Sequence, residues 1–236
     1  MICKLPRKIV AEPAMPTLRE VLADMTLIAD YSRNLSSQGE IGPIARSNIP
    51  ASGAAYFLSI SDGYIGIWKA TSSSIPGTPI NAYGYNGAGN SGQCSIRVYN
   101  NNVYWDTQFS TAGISSLAYG ASLVLVRFPS YTAAQTDAVL SAMSLVKVAG
   151  RNASTTGYVR TNTDKSHAFY LTTRYKMNGS SYTGYGADTG LVIWECDGST
   201  WTKFNQVTPN WQAGAVSSGY LTLGAGTYGA SIIGID

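Results

Sequence analysis

Apolar residues recur at helical spacing near the start of the chain, in residues 17–34. Thr17 and Glu20 form a T-x-x-E capping box, whose side chains satisfy the free N–H groups of a first helical turn. The pattern predicts an amphipathic helix of about four turns that ends near residues 32–34. Its apolar positions are Leu18, Val21, Leu22, Met25 and Ile28.

This apolar face has two interpretations. It packs on the chain's own domain, or it serves self-association and docking. Its heptad pattern is too short for a stable coiled coil alone. We favour self-association or anchoring, because little helical pattern elsewhere offers the helix a partner.

A second helical pattern occupies residues 132–147. Thr132 and Gln135 form another capping box, and Val139, Leu140, Met143 and Val146 follow at helical spacing. The change of period after Pro129 is the clearest internal boundary in the chain.

Short apolar runs separated by turn residues predict β-strands on both sides of this helix. Residues 55–71 indicate a β-hairpin with an Asp-Gly turn, and residues 94–109 indicate a second hairpin with an asparagine turn. Residues 122–128 are almost continuously apolar, as expected of a buried strand. Further strands are predicted at 157–161, 167–177, 191–196, 199–204, 219–223 and 227–235.

The predicted fold is therefore mainly β, with two small antiparallel, jelly-roll-like β-sandwich domains joined by a helix. The expected organisation is an N-terminal arm and helix (1–35), a linker (36–54), a β domain (55–129), a connecting helix (130–149) and a second β domain (150–236). Small sandwiches leave strand edges that invite pairing, so we expect a homotrimer.

Two tyrosine- and glycine-rich stretches suggest an internal duplication. "AYGYNGAGNSG" occupies residues 82–92 and "SYTGYGADTG" occupies residues 181–190. Each is followed by a predicted hairpin with a tryptophan, Trp105 or Trp201, and then by a Tyr-Gly-Ala-Ser element. The alternative is that turns in β-rich chains converge on a similar composition.

The composition narrows the classes of function. Only 12% of the 236 residues are charged, whereas the chain holds 25 glycines and 16 tyrosines. A net charge of +3 without a basic cluster does not indicate nucleic-acid binding. We expect no membrane insertion, because no apolar stretch approaches the roughly 20 residues that span a bilayer. The N-terminus lacks a signal-peptide pattern, so synthesis without export is expected.

Few residues suggest chemistry, and we expect neither a metal nor a cofactor. The three cysteines, Cys3, Cys94 and Cys196, lack the spacing of a zinc site or a disulfide framework. His167 is the single histidine and has no evident nucleophile beside it. A paired-carboxylate hydrolase would have to use Asp106, Asp164, Asp188 and Glu195.

Four tyrosines among the loop glycines are the candidate ligand-binding residues. Tyrosine with Gly, Ser and Asn is typical of binding loops, since it supplies rigid contact area and adaptable hydrogen bonds. Ordinary loop packing is the alternative. The four are Tyr83, Tyr85, Tyr182 and Tyr185.

The layout resembles a bacteriophage virion surface protein of the head-fibre, capsid-decoration or tail-fibre-tip type. The residues that carry this resemblance are the proline-bearing arm, the short helix, the Gly/Pro linker and the ending "GYLTLGAGTYGASIIGID". The resemblance implies a structural, non-enzymatic virion protein, anchored by its N-terminus to capsid or other virion proteins. Its β domains would contact the host surface or glycans. A free carbohydrate-binding module or lectin is the alternative, and a polysaccharide hydrolase is the third possibility.

Overall fold

The structure is a computed structural model. The described residues are 14–31, 47–51, 53–61, 64–76, 78–83, 96–99, 102–105, 122–147, 158–161, 168–174, 190–197, 200–207, 215–217, 220–223 and 227–235. They form a mostly β structure with two five-stranded antiparallel sheets, two smaller sheets and two helices.

Among the described residues, the first half of the chain has one helix and seven strands. They are α1 (Leu18–Asp24), β1 (Thr26–Asp30), β2 (Ala55–Ser61), β3 (Tyr64–Ala70), β4 (Asn81–Tyr83), β5 (Ile96–Tyr99), β6 (Asn102–Trp105) and β7 (Ser122–Arg127). In the second half, the part that the structure describes has one helix and eight strands. They are α2 (Ala133–Ala142), β8 (Val146–Lys147), β9 (Tyr158–Thr161), β10 (Ala168–Arg174), β11 (Gly190–Asp197), β12 (Thr200–Gln206), β13 (Ala215–Ser217), β14 (Tyr220–Leu223) and β15 (Thr227–Ile235).

The two five-stranded sheets repeat one topology. The first sheet has the strand order β1-β7-β2-β3-β4, and the second has the order β8-β15-β10-β11-β12. In each half a helix precedes an edge strand, and the last strand of the half inserts beside that edge strand. The hairpin β5–β6 separates β4 from β7, and β13 and β14 separate β12 from β15. We call residues 17–128 repeat 1 and residues 132–235 repeat 2.

Both repeats contribute to one hydrophobic core. Strand residues alternate between the two faces of a sheet, and Tyr56 and Leu58 of β2 lie on the face that enters this core. The helices add Leu22 and Leu140, and β11 adds Ile193. The burial of side chains from both helices and both sheets in one cluster means that neither repeat completes its core alone.

The opposite face of the first sheet is also covered. Phe57 of β2 is fully buried there, and the Tyr31 ring lies 6.2 Å from it, centroid to centroid. Val124, Leu125 and Val126 are buried at successive positions of β7, so both faces of this strand are covered. This confirms the interpretation of residues 122–128 as a buried strand.

Both capping boxes are confirmed, but both helices are shorter than predicted. Met25 ends α1 in an extended conformation (φ −61°, ψ 122°), and residues 26–30 form β1, which pairs with β7. Met143 ends α2 in the same way, before β8. The prediction of helix beyond residue 25 is wrong, because Leu27 and Ile28 also suit a strand and the pairing with β7 decides.

The β2–β3 hairpin is confirmed, with Ala55 opposite Ala70 and Ser61 opposite Tyr64. The β5–β6 hairpin is confirmed by the pairing of Ile96 with Trp105. A jelly-roll-like sandwich in each half, and the expected domain boundaries, stay predictions.

Candidate functional site

Two asparagines join the repeats, because the asparagine of each repeat caps the helix of the other. Asn81 of β4 donates its Nδ2 hydrogens to the carbonyls of Leu140 and Met143, at 2.8 Å in both cases. The last carbonyls of a helix have no partner within the helix, so they need donors from elsewhere. In α2 the donor comes from repeat 1.

The reverse contact has the same geometry. Asn205 of β12 donates Nδ2 hydrogens to Leu22 O at 3.0 Å and to Met25 O at 3.1 Å. The end of α1 is therefore satisfied by repeat 2. Each helix ends in a Leu-x-x-Met sequence, and each Leu–Met pair of carbonyls binds the asparagine of the other repeat.

An ion pair accompanies each asparagine contact. Arg19 of α1 forms a bidentate pair with Glu195 of β11, with Nε–Oε1 at 2.9 Å and Nη2–Oε2 at 3.3 Å. The Arg19 guanidinium also lies over the Phe204 ring, 4.8 Å from its centroid. The Glu195 side chain is 15% exposed, so this bidentate contact is partly shielded from water and directional.

The second ion pair joins Lys69 of β3 to Asp137 of α2. The Tyr56 hydroxyl donates to the other oxygen of the same carboxylate at 2.8 Å. Burial raises the pKa of Tyr56, and the neighbouring Asp137 raises it further. The phenol thus stays protonated and serves as a donor to Asp137.

We call these four contacts the inter-repeat junction. It comprises Asn81 with the end of α2, Asn205 with the end of α1, the pair Arg19–Glu195 and the pair Lys69–Asp137. Next to it, Asp24 accepts hydrogen bonds from the Ser130 backbone N–H at 2.8 Å and from its hydroxyl at 2.7 Å. The end of α1 is thereby fixed to the turn that leads into α2.

A cavity of about 290 Å³ lies at the start of α2. Tyr131 is half-buried and Arg127 is exposed, so the cavity offers an aromatic face and a cation together. Partial burial raises the pKa of Tyr131, and the carboxylates of Glu20 and Asp24 add to this. The cavity is lined by Pro50, Gly53, Ala54, Tyr56, Arg127, Phe128, Pro129, Tyr131, Thr132, Ala133 and Thr136.

The structure describes one of the four candidate binding tyrosines. Tyr83 ends β4, where it pairs with Ile65, and Tyr85, Tyr182 and Tyr185 lie outside the described residues. Tyr85 follows β4 in the chain, whereas Tyr182 and Tyr185 fall between β10 and β11, which correspond to β2 and β3. The two tyrosine-rich stretches therefore follow elements that are not equivalent, and the role of these tyrosines in binding stays a prediction.

The match between Trp105 and Trp201 that the sequence suggests is wrong. Trp105 lies in β6 of the two-stranded sheet, whereas Trp201 lies in β12 of a five-stranded sheet. The tryptophans that do correspond are Trp68 and Trp194, which stand between Ile and a charged residue in β3 and β11. The first Tyr-Gly-Ala-Ser element leads into β7 and the second lies within β15, and these two strands do occupy equivalent places.

Most of the candidate anchoring residues are buried in the hydrophobic core. Val21, Leu22 and Met25 are buried in the core, and Leu18 packs against it. Ile28 is half-buried in β1. Self-association through this segment stays a prediction, while the three buried side chains are already covered by the chain itself.

The structure describes one of the four candidate acids. Glu195 is paired with Arg19, while Asp106, Asp164, Asp188 and His167 lie outside the described residues. Among the residues that the structure does describe, no group of three or more His, Cys, Asp or Glu side chains has the arrangement of a metal site.

Apart from Glu195, none of the side chains that form the junction was predicted from the sequence to be functional. A signal was present in the paired motifs Ile67-Trp68-Lys69 and Ile193-Trp194-Glu195. The asparagines are harder to find, because their partners lie in the other half of the chain.

Comparison of the chain with protein-family models, with curated proteins and with solved structures found no match. Within the described ranges, no helix has the length and apolar character needed to cross a membrane.

Proposed function

We propose that the chain is a structural surface protein of a bacteriophage virion, of the fibre or decoration type. Its N-terminal end attaches to capsid or other virion proteins, and its β-sheets are displayed for contact with the host surface or its glycans. The expected assembly is a homotrimer, and the role is not catalytic.

The reciprocal inter-repeat junction carries this proposal. Its two ion pairs connect a helix of one repeat to a strand of the other, and each asparagine caps the opposite helix. Polar and charged side chains that could form a reactive cleft are here used to join two repeats over one core. Such construction suits a scaffold that holds its shape at a particle surface.

Glu195 illustrates the difference from a hydrolase. Both of its carboxylate oxygens bind the Arg19 guanidinium, and Arg19 is in turn held over Phe204. This contact gives Glu195 a role in joining α1 to β11. We therefore place the hydrolase below the structural role.

Detection of the chain in purified particles tests the proposal directly. Mass spectrometry of virions banded on a density gradient and washed with high salt should find the chain at a fixed ratio to the major capsid protein. Its absence from washed particles, with the chain found only in the lysate, would contradict the virion role.

The assembly needs a separate test, and the structure decides where to truncate. Removal of residues 1–35 would also remove Val21, Leu22 and Met25 from the core. A truncation of residues 1–13 keeps α1 and its described contacts. Light scattering should give the mass of a trimer for the full chain and the mass of a monomer for this truncation. A monomer mass for the full chain would contradict the trimer.

The cavity favours a second candidate function, a free carbohydrate-binding module. Its volume of about 290 Å³ is near the lower end of ligand pockets, roughly 300–1,000 Å³, and suits a small ligand such as one sugar. Tyr131 provides a face for stacking and Arg127 a cation for an acidic sugar. If the chain is a virion protein, the same cavity is the candidate site for contact with host glycans.

Glycan-array binding distinguishes the two candidates. Loss of binding in Tyr131→Ala and Arg127→Ala, with binding kept in the surface variant Thr202→Ser, would assign glycan contact to the cavity. Glycan binding by a chain that is monomeric and absent from particles would favour the free module.

A further inference from the structure

The four charged residues of the inter-repeat junction are sorted by sign between the repeats. Repeat 1 supplies two cations, Arg19 and Lys69, and repeat 2 supplies two anions, Asp137 and Glu195. Each ion pair therefore joins one residue of each repeat.

These residues occupy equivalent positions. Arg19 stands three residues before Leu22 in α1, and Asp137 stands three residues before Leu140 in α2. The leucines themselves correspond, because their carbonyls accept from Asn205 and Asn81.

The strand residues correspond as well. Lys69 and Glu195 each follow an Ile-Trp pair, in β3 and β11. They also share a register: Lys69 lies opposite Tyr56 of β2, and Glu195 lies opposite Phe169 of β10. The second ion pair is thus the first one with both charges reversed.

The uncharged part of the junction is the same in both repeats. Asn81 lies opposite Ile67 and Asn205 lies opposite Ile193, and each asparagine binds the Leu and Met carbonyls of a Leu-x-x-Met helix end. Such contacts would accept the helix of either repeat. The charges are what would differ, since pairing of like repeats would place Arg19 against Lys69 or Asp137 against Glu195.

We propose that the reversed charges make the junction selective for unlike repeats. The helix of repeat 1 fits the sheet of repeat 2, whether that sheet belongs to the same chain or to a second copy of the chain. Pairing between like repeats of two chains is rejected by repulsion, which is how charge commonly gives specificity to otherwise similar interfaces. The proposal does not rest on the virion role.

Exchange of the two helix charges tests this selectivity without changing the net charge. Arg19→Asp with Asp137→Arg places a carboxylate opposite Glu195 and a guanidinium opposite Lys69. Pairing within the chain then becomes repulsive, and pairing between like repeats of two chains becomes complementary. We expect sedimentation at matched concentration to show at least a tenfold rise in dimerisation, relative to the wild-type assembly.

The matched rescue is the fourfold variant that adds Lys69→Glu and Glu195→Lys. It restores opposite charges within the chain and should return the wild-type assembly. Lys203→Glu, an exposed charge change on β12 outside the junction, should leave assembly unchanged. A helix exchange that assembles like the wild type, or a fourfold variant that assembles like the helix exchange, would overturn the proposal.

Should the helix exchange fail to fold, Arg19→Asp, Glu195→Lys and their combination remain as a stability cycle. Each single variant should lower the folding equilibrium constant. The double variant should have a folding equilibrium constant at least threefold higher than the two single effects together predict. Additive effects would overturn the proposal.

Discussion

Asn81 and Asn205 occupy the same place in two repeats of one topology, and each caps the helix of the other repeat. Each lies opposite an isoleucine in the neighbouring strand, Ile67 or Ile193. Each donates to two carbonyls at a helix end, over distances of 2.8–3.1 Å. The asparagines are therefore reciprocal contacts between the repeats and not local turn formers.

Substitution of either asparagine by aspartate should destabilise the chain by a similar amount. Aspartate keeps the shape but loses the donors, and its charge opposes the partial negative charge of a helix C-terminus. Leaving the carbonyls unsatisfied should cost about 1–3 kcal/mol in the free energy of unfolding. Urea unfolding of Asn81→Asp and Asn205→Asp checks this.

Thr202→Ser, an exposed change on the same strand as Asn205, is the control and should stay within about 0.5 kcal/mol of wild type. An Asn205→Asp chain as stable as this control would show that the contact contributes nothing.

Tyr56→Phe should destabilise the chain at neutral pH, because it removes the hydrogen bond to Asp137. The expected loss is about 1 kcal/mol. The corresponding residue in repeat 2 is Phe169, so the substitution introduces the side chain already used there. Stability of the variant at or above that of the wild type would show that the hydroxyl does not support the junction.

The same variant has a predicted pH signature. The pKa of Tyr56 is raised above the ordinary value of 10.0, so the folded state holds its proton more tightly than the unfolded state. This contribution to stability is present below pH 10 and is lost as the pH rises towards the folded pKa. Wild-type stability should therefore fall more steeply above pH 10 than that of Tyr56→Phe; parallel curves would contradict the raised pKa.

Leu22→Ala and Leu140→Ala should both cost about 2–5 kcal/mol, as expected for deletion of a buried leucine side chain. Leu22 is fully buried and Leu140 almost so, at equivalent helix positions. Were α1 instead an exposed docking helix, Leu22→Ala would weaken assembly and leave the unfolding free energy unchanged. Chemical denaturation at several protein concentrations separates the two outcomes.

The two capping boxes should respond differently to acid. The Thr17 backbone N–H and hydroxyl donate to Glu20 and lower the pKa of its carboxyl below 4.5. Its contribution is present above pH 4.5 and is lost as the pH falls through the lower folded pKa. Gln135 holds the equivalent place in α2 without a charge.

Glu20→Gln should therefore flatten the acid limb of the stability curve, and Gln135→Ala should shift the curve without changing that limb. Thermal melts between pH 2 and pH 6 make the comparison. Identical acid limbs in wild type and Glu20→Gln would contradict the lowered pKa.

Local signals were enough to predict the helix starts and the first hairpin. Thr17 with Glu20 and Thr132 with Gln135 act within four residues, so the sequence alone reveals them. The apolar run of β7 likewise reflects burial on both faces.

The helix ends and the repeat alignment depend on distant partners. Met25 leaves the helix where β1 begins to pair with β7, about a hundred residues away in the chain. The similar stretches at 82–92 and 181–190 share a composition, but the first begins in β4 and the second lies between β10 and β11 and ends at the start of β11. The short motifs around Trp68 and Trp194 do share a topological place. They lie in β3 and β11, where Lys69 and Glu195 have the same register against the neighbouring strand.

The cooperativity of unfolding tests most directly the claim that two repeats form one body through a reciprocal junction. Differential scanning calorimetry should show one transition whose calorimetric and van't Hoff enthalpies agree. In Leu22→Ala, of repeat 1, the whole transition should move to lower temperature, including the unfolding of repeat 2. Two separate transitions, with Leu22→Ala shifting one and leaving the other in place, would contradict the shared core.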